Sequence, residues 1–544
     1  MLRAVLACLL PSTVVFAQTI LPAPLVPAGN PQTAAKALLG KALFWDEQLS
    51  SSHSVACGTC HIFSQGGTDP RASSAVNPGP DGIFATDDDA NGSPGVVQHG
   101  PDGNLVPSPS FGLQTQVTPR RAPSVLNAAY ARSLFLDGRA DGEFRDPVTG
   151  AIVLPTGGAL ESQIAGPPVS SVEMGHIGRT WTEIANELPT LTPLALASNV
   201  PAALQAFVAG QNYDQLFAQV FGSPGVTPVR IIFAIAAYER TLVSDQSPFD
   251  LYLAGQGSLT QMQTLGLTRF QTLCAACHTD LTTTSLAIGP VLDDFRNVGV
   301  RPPAEDMGRR IVTGSIADRG KFRVPGLRNV ALRGSYFHNG LLQSLGEVID
   351  FYARGGDFAD NRDPLVDAIS GHIQIADNLQ LQALLNALTD PRVANELPPF
   401  DRPTLWSEGA LVPAAIGTGT GGTVALAPRL GALGPAHLGN ATFAVGVDQL
   451  AQNLFSVLML DLVGSATPSP VLGHNLYLGW SPALQLMPLG LTQNAAPGQG
   501  YQSAVFHLPN NPSLAGSYWL QWLAVDPQGP AGLVSSNALQ FTVF

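Results

Sequence analysis

Cys57-Gly58-Thr59-Cys60-His61 and Cys274-Ala275-Ala276-Cys277-His278 are two copies of one pattern, and the rest of the chain is read outward from them. In each copy two thiols stand three residues apart with an imidazole directly after the second. Cys-x-x-Cys-His is the attachment signature of c-type haem. The thiols add to the two vinyl groups, and the adjacent His reaches the iron as the proximal axial ligand. A redox dithiol or half of a zinc site also uses Cys-x-x-Cys. Neither explains a His directly after both pairs. The two copies therefore predict two covalently bound haem c groups, one on Cys57, Cys60 and His61 and one on Cys274, Cys277 and His278.

The fifth cysteine, Cys8, lies in a leader-like stretch, Met1–Ala17. Arg3 gives it a positive start, residues 4–17 are almost wholly apolar, and Val15-Phe16-Ala17 is a small-x-small cleavage site. This reads as a secretory signal peptide, and the protein is expected to be exported, to the periplasm or to the cell surface or medium. No later stretch has the roughly 18 apolar residues of a membrane span, so no transmembrane segment is expected. The 544 residues carry a net charge of -13, which disfavours nucleic acid as a partner. At about 150 residues per domain the length suggests three or four domains.

Helical spacing of Ala34, Leu38, Leu39, Ala42 and Leu43 predicts a helix that delivers the chain to the first motif. Thr227-Pro228 is a helix-start signal, followed by Ile231, Ile232, Ile235 and Tyr238. Further helices are expected near Thr260–Leu273, around Leu345–Tyr352, and around Leu381–Leu388, the last stopping at Asp390-Pro391. After residue 400 only seven charged side chains remain, and short apolar runs follow one another between Gly, Pro and Asn turns. That pattern predicts an antiparallel β-sandwich. The fold expected is multidomain: two mainly α-helical cytochrome-c-like haem domains and a C-terminal all-β sandwich. The expected division is 1–17 signal peptide, 18–225 first haem domain, 226–400 second haem domain, and 401–544 accessory sandwich. His437, His474 and His507 stand singly and read as structural or surface residues.

The words around the motifs sharpen this. Leu43-Phe44-Trp45-Asp46-Glu47 precedes the first motif. Arg121-Ala122-Pro123-Ser124-Val125-Leu126-Asn127, Phe135-Leu136-Asp137-Gly138-Arg139 and Val172-Glu173-Met174 follow it. After the second come Asp318-Arg319-Gly320-Lys321-Phe322-Arg323-Val324-Pro325 and Tyr336-Phe337-His338-Asn339-Gly340. Over residues 36–400 the chain resembles the bacterial di-haem cytochrome c peroxidases, a family that includes the MauG-type enzymes. The resemblance implies a peroxidatic N-terminal haem, which becomes ferryl, and an electron-transfer C-terminal haem.

Further roles follow from the resemblance. The family places a Gln and a Glu ten residues apart over the first haem, and Gln163 and Glu173 match. A carboxylate there can shuttle the peroxide proton, and an amide can orient the oxygen. MauG-type members have a Tyr as sixth ligand of the second haem, where other members have a Met. Tyr352 stands at that position, with Met307 the competing ligand. The family's Trp between the haems is replaced by Leu136, with Trp181 or Tyr130 as substitutes. The resemblance also implies a calcium between the haem domains, with a side-chain ligand at the position now held by Arg121. A guanidinium cannot ligate a cation. Arg121 is expected to supply the positive charge instead.

Independently, the acidic loop Asp81–Asn91 offers Asp81, Asp87 and Asp89 as candidate calcium ligands. His99, with His53 as alternative, is a candidate distal ligand that caps the first haem in the resting state. The function expected is an exported peroxidase that reduces hydrogen peroxide with electrons from a small redox protein, a cytochrome c or copper protein. The alternatives are a MauG-type enzyme that oxidises a protein or organic substrate, and a non-catalytic di-haem electron-transfer protein.

Overall fold

The computed structural model of the protein describes residues 21–278, 294–496 and 499–544. The expected leader Met1–Ala17, with Cys8, lies outside the described residues. Among the described residues no helix is long and apolar enough to cross a membrane.

Six of the helices place the two motifs: α1 (Ala34–Trp45), α2 (Ala159–Ile164), α3 (Pro228–Glu239), α4 (Gln261–Leu273), α5 (Leu345–Ala353) and α6 (Ile375–Ala387). Thr33, Thr227 and Thr260 cap α1, α3 and α4, each hydroxyl accepting a backbone N–H from the first turn. α1 runs towards the first motif and α4 leads directly into the second. Each is crossed by a later helix at a glycine. A Cβ on Gly40 of α1 would lie 1.9 Å from the Ala234 carbonyl oxygen of α3. A Cβ on Gly266 of α4 would lie 2.1 Å from the Gln380 carbonyl oxygen of α6. Both crossings thus bring backbone against backbone.

Two separate apolar cores follow. The first contains Leu39, Phe44, Trp45, Phe63, Tyr213 and Ile231, and the second Phe270, Val330, Tyr336, Ile349 and Leu384. Each fully buried large side chain contributes about 1.5–3 kcal/mol. Helix α3 is part of the first core through Leu242, and Val393, Phe400 and Leu405 return to it. Thr227-Pro228 marks the start of a helix, and the sequence does not say which core that helix joins.

The two helical units repeat a backbone pattern. Asn127 and Asn329 are both left-handed, at φ 58°, and each precedes a single 3-10 turn. Phe135 and Phe337 (φ 61° and 62°) and Gly138 and Gly340 (φ 70° and 65°) follow at matching intervals. The units meet at Ser244. Asn127 exchanges two hydrogen bonds with its backbone, and the Asn329 amide donates to its hydroxyl at 2.8 Å. Asp390 closes the knot by accepting from Ser244 Oγ and from the Asp245 and Gln246 amides.

Beyond residue 413 the described residues form two larger antiparallel sheets and a two-stranded one, Gly464–Val471 with His474–Leu478. Strands Arg429–Leu433, Phe443–Leu450, Gln499–Phe506 and Gln493–Ala496 make one, in that order. Gln485–Leu491, Phe455–Asp461, Gly516–Val525, Leu533–Val543 and Ala414–Ile416 make the other. They share a core of Leu430, Phe443, Val445, Leu458, Leu520 and Trp522. Strand Gly464–Val471 carries two prolines and no buried residue.

Candidate active site

A cavity of about 660 Å³ opens beside the first motif, within the size range of ligand sites. Cys57, Cys60 and His61 line it, and so do Gln163 and Glu173. Neither thiol is in a disulfide. His61 Nδ1 lies 3.1 Å from the Gly67 carbonyl oxygen. That contact fixes the ring's orientation and its tautomer, and leaves Nε2 as the free ligand atom.

Gln163 sits on α2, which is held by the buried Glu161. Its carboxylate pairs with Arg240 at 2.9 Å and accepts from Asn30 at 2.8 Å. Glu173 sits in a tight turn where the amides of Glu173, Met174 and Gly175 all donate to the Ser170 carbonyl. Burial pushes the Glu173 carboxyl up, opposed by Ser170 and by the charge of Arg139. A second buried carboxyl, Glu239 at the end of α3, also lines the cavity, and burial raises it to about 8. The reading of the sequence missed it. Its only signal is a lone acid closing an apolar helix.

A second cavity, of about 210 Å³, is lined by Cys274, Cys277, His278 and Tyr352. Burial pushes His278 down to about 4 and the Tyr352 phenol up. Tyr352 packs on Phe351 and Phe337 at 5.3 and 6.1 Å. Met307 is exposed and lines neither cavity.

Leu136, His338 and Arg121 line both cavities. His338 stacks on Phe322 with ring centres 3.7 Å apart. Trp181 and Tyr130 line neither cavity. Trp181 instead donates to the Ala165 carbonyl and Tyr130 to that of Pro22.

His99 does not line the first cavity. Its Nδ1 and Nε2 lie 2.7 Å from the Val97 carbonyl oxygen and 2.9 Å from the Ser51 hydroxyl. His53 lines neither cavity and stacks on His437 at 6.0 Å. Asp81 and Asp89 accept from the Ile83 and Ala85 amides, and among the described residues no group of three or more His, Cys, Asp or Glu is placed to hold a metal.

The residues present fit haem at both places. Each motif faces a cavity, and Arg121 Nη1 and Arg333 Nε are buried N–H groups without a partner. A haem brings propionate carboxylates, which are acceptors of the kind these donors lack.

The di-haem cytochrome c peroxidase family model matches residues 34–258. Cytochrome c551 peroxidase of Nitrosomonas europaea is 31% identical over 337 residues, 60% of this chain and 76% of that protein. Methylamine utilization protein MauG of Methylorubrum extorquens is 29% identical over 337 residues, 61% of this chain and 72% of that protein. A solved MauG-like protein associated with microbial copper homeostasis is alike in fold, with a TM-score of 0.50 at 24% identity over 71% of this chain and 97% of that one.

Proposed function

Since the chain belongs to the di-haem cytochrome c peroxidase family, we propose that it reduces hydrogen peroxide to water at the first cavity, with electrons that enter through the second. It is a peroxidase-like oxidoreductase. Cys57, Cys60 and His61 would hold the first haem. Cys274, Cys277 and His278 would hold the second, with Tyr352 as its further candidate ligand. When bound, each haem supplies one-electron chemistry, and the first also binds peroxide.

Overall, one peroxide takes two electrons and two protons and gives two waters. Glu173 would take a proton from one peroxide oxygen and deliver it to the other, so that water leaves in place of hydroxide. Its raised pKa suits a group that both takes and gives a proton. Gln163 donates its amide N–H to the bound oxygen. Leu136 and the His338–Phe322 stack form the wall that electrons cross. The donor is a small redox protein, a cytochrome c or copper protein. The protein is exported to the periplasm after removal of residues 1–17. The first haem unit runs to Leu242 and takes back Val393, Phe400 and Leu405, the second lies between, and the C-terminal all-β unit follows from Ala414.

The observation that carries this reading is that Gln163 and Glu173 line one cavity with Cys57, Cys60 and His61. Glu173→Gln is expected to keep both haems and abolish peroxide turnover. Full turnover in that variant removes Glu173 from the mechanism.

A second reading rests on Tyr352 at the second cavity. A phenolic oxygen favours ferric and higher states over the ferrous state. A MauG-type enzyme that uses peroxide to oxidise a protein or organic substrate would need this. Steady consumption of reduced cytochrome c or a copper protein with peroxide decides for the first reading, and its absence for the second.

A further inference from the structure

A strap runs from the first cavity to the C-terminal sheet. Strands Pro94–Val97 and Thr115–Val117 pair at its base. At the base, Pro94 and Gly95 line the cavity, and a Cβ on Gly95 would lie 1.9 Å from the Val172 carbonyl oxygen and 2.7 Å from Glu173 Cα. Val96 donates its amide to Val172 at 3.1 Å, and the Gln116 side chain donates to the Ser171 carbonyl at 2.7 Å. The strap is therefore laid directly on the turn that presents Glu173.

The far end is anchored on the sheet. Leu105 and Leu113 are 2% and 3% exposed and pack with Leu433 and Ala444. A Cβ on Gly446 would lie 2.5 Å from Leu105 Cδ1 and 2.8 Å from Leu113 Cδ1. The amides of Leu105 and Leu113 donate to Ser503 Oγ at 3.0 Å and Asp448 Oδ2 at 2.9 Å. Asp448 is held in turn by Arg429 at 3.0 Å.

We propose that the C-terminal unit positions Glu173: its sheet grips Leu105 and Leu113, and the strap transmits that grip to the Val172–Glu173 backbone. Leu105, Leu113 and Asp448 are positioning residues for peroxide chemistry. Gly446 keeps their seat open. The inference rests on the role given to Glu173 above.

The test uses the full-length holoprotein. Leu105→Ala/Leu113→Ala is expected to lower kcat for peroxide by about 10-fold or more, since small misplacements of a reacting group cost up to about 10²-fold. It is also expected to change the spin-state signal of the first haem and leave that of the second unaltered. Leu476→Ala, in a separate apolar cluster of the same unit, is expected to leave kcat unchanged. In a Glu173→Gln background the strap variant should add no further change to the first haem's spin-state signal, which a merely structural role does not predict. Unchanged kcat and first-haem signal in the strap variant overturns the proposal. Turnover surviving in Glu173→Gln alone overturns the role of Glu173 instead. If the double alanine variant fails to load both haems, Ser503→Ala/Asp448→Ala, which removes the two anchoring acceptors, is read by the same criteria.

Discussion

Arg121 lies buried near Arg333, and among the described residues neither guanidinium forms an ion pair. Burial, with the charge of Arg333 added, pushes Arg121 down to about 9. Burial brings Arg333 to about 10. A buried cation pair with no counter-charge is costly unless an anion joins it. The haem carboxylates are the anions this site is expected to receive. Arg121 lines both cavities, so its charge stabilises the reduced form at each. Arg121→Gln is expected to lower both midpoint potentials, on the order of 60 mV, which is a tenfold change in a one-electron equilibrium. Spectroelectrochemical titration of the two haems measures it. Potentials that stay put would separate Arg121 from the cofactors.

Tyr352→Met replaces a hard oxygen by a thioether. The second haem's potential should rise by on the order of 100 mV, within the roughly 0.8 V that axial ligands span. The resting EPR spectrum should alter for that haem alone. An unchanged spectrum would show that Tyr352 packs against the second haem without ligating it.

Glu239 gives a pH dependence with a definite sign. Its folded-state pKa, about 8, lies above the ordinary carboxylate value, so the folded chain holds a proton that the unfolded chain has lost. Stability contributed by that proton is complete at low pH and is lost as pH rises through the ordinary value towards 8. Glu239→Gln should flatten the fall in Tm between pH 5 and 8. An unaltered Tm-against-pH curve would place the loss at another group, such as Glu47, which burial raises to about 7.

The two helix crossings separate the stability of the two units. Gly40→Val forces a side chain onto the Ala234 carbonyl and should destabilise the first unit by about 3 kcal/mol, the upper range of overpacking. Gly266→Val should do the same to the second. Urea unfolding followed at each haem's absorption reads them out. Equal loss in both units from either variant would mean that they unfold together.

Much of this architecture is written in short-range signals. Cys57 to His61, Cys274 to His278 and the threonine caps at 33, 227 and 260 each act within a few residues, and the helices follow from them. Gln163 and Glu173 were legible only through the family's spacing, because nothing local marks a Gln on α2 or a Glu in a turn. The partners of His99 were not legible, because a histidine in a Gly-rich loop carries no sign of them. Ser51 and the Val97 carbonyl occupy it. The strap was beyond reach for another reason. Leu113 and Leu105 bond to residues 335 and 398 positions away, and contacts at such separations leave no periodicity.

Ser244 gives the molecule a mechanical property. One fully buried serine takes hydrogen bonds from both repeated asparagines, and Asp390 locks it from a third direction. With the Arg121 amide on the His338 carbonyl and the Arg323 amide on that of Leu136, this node means that the gap an electron would cross between the cavities is set by main-chain geometry and not by the swing of a linker. Transfer between the two cavities should run at a rate indifferent to solvent viscosity, and slow reactions with large partners should be left as the only steps that a thickened medium can delay.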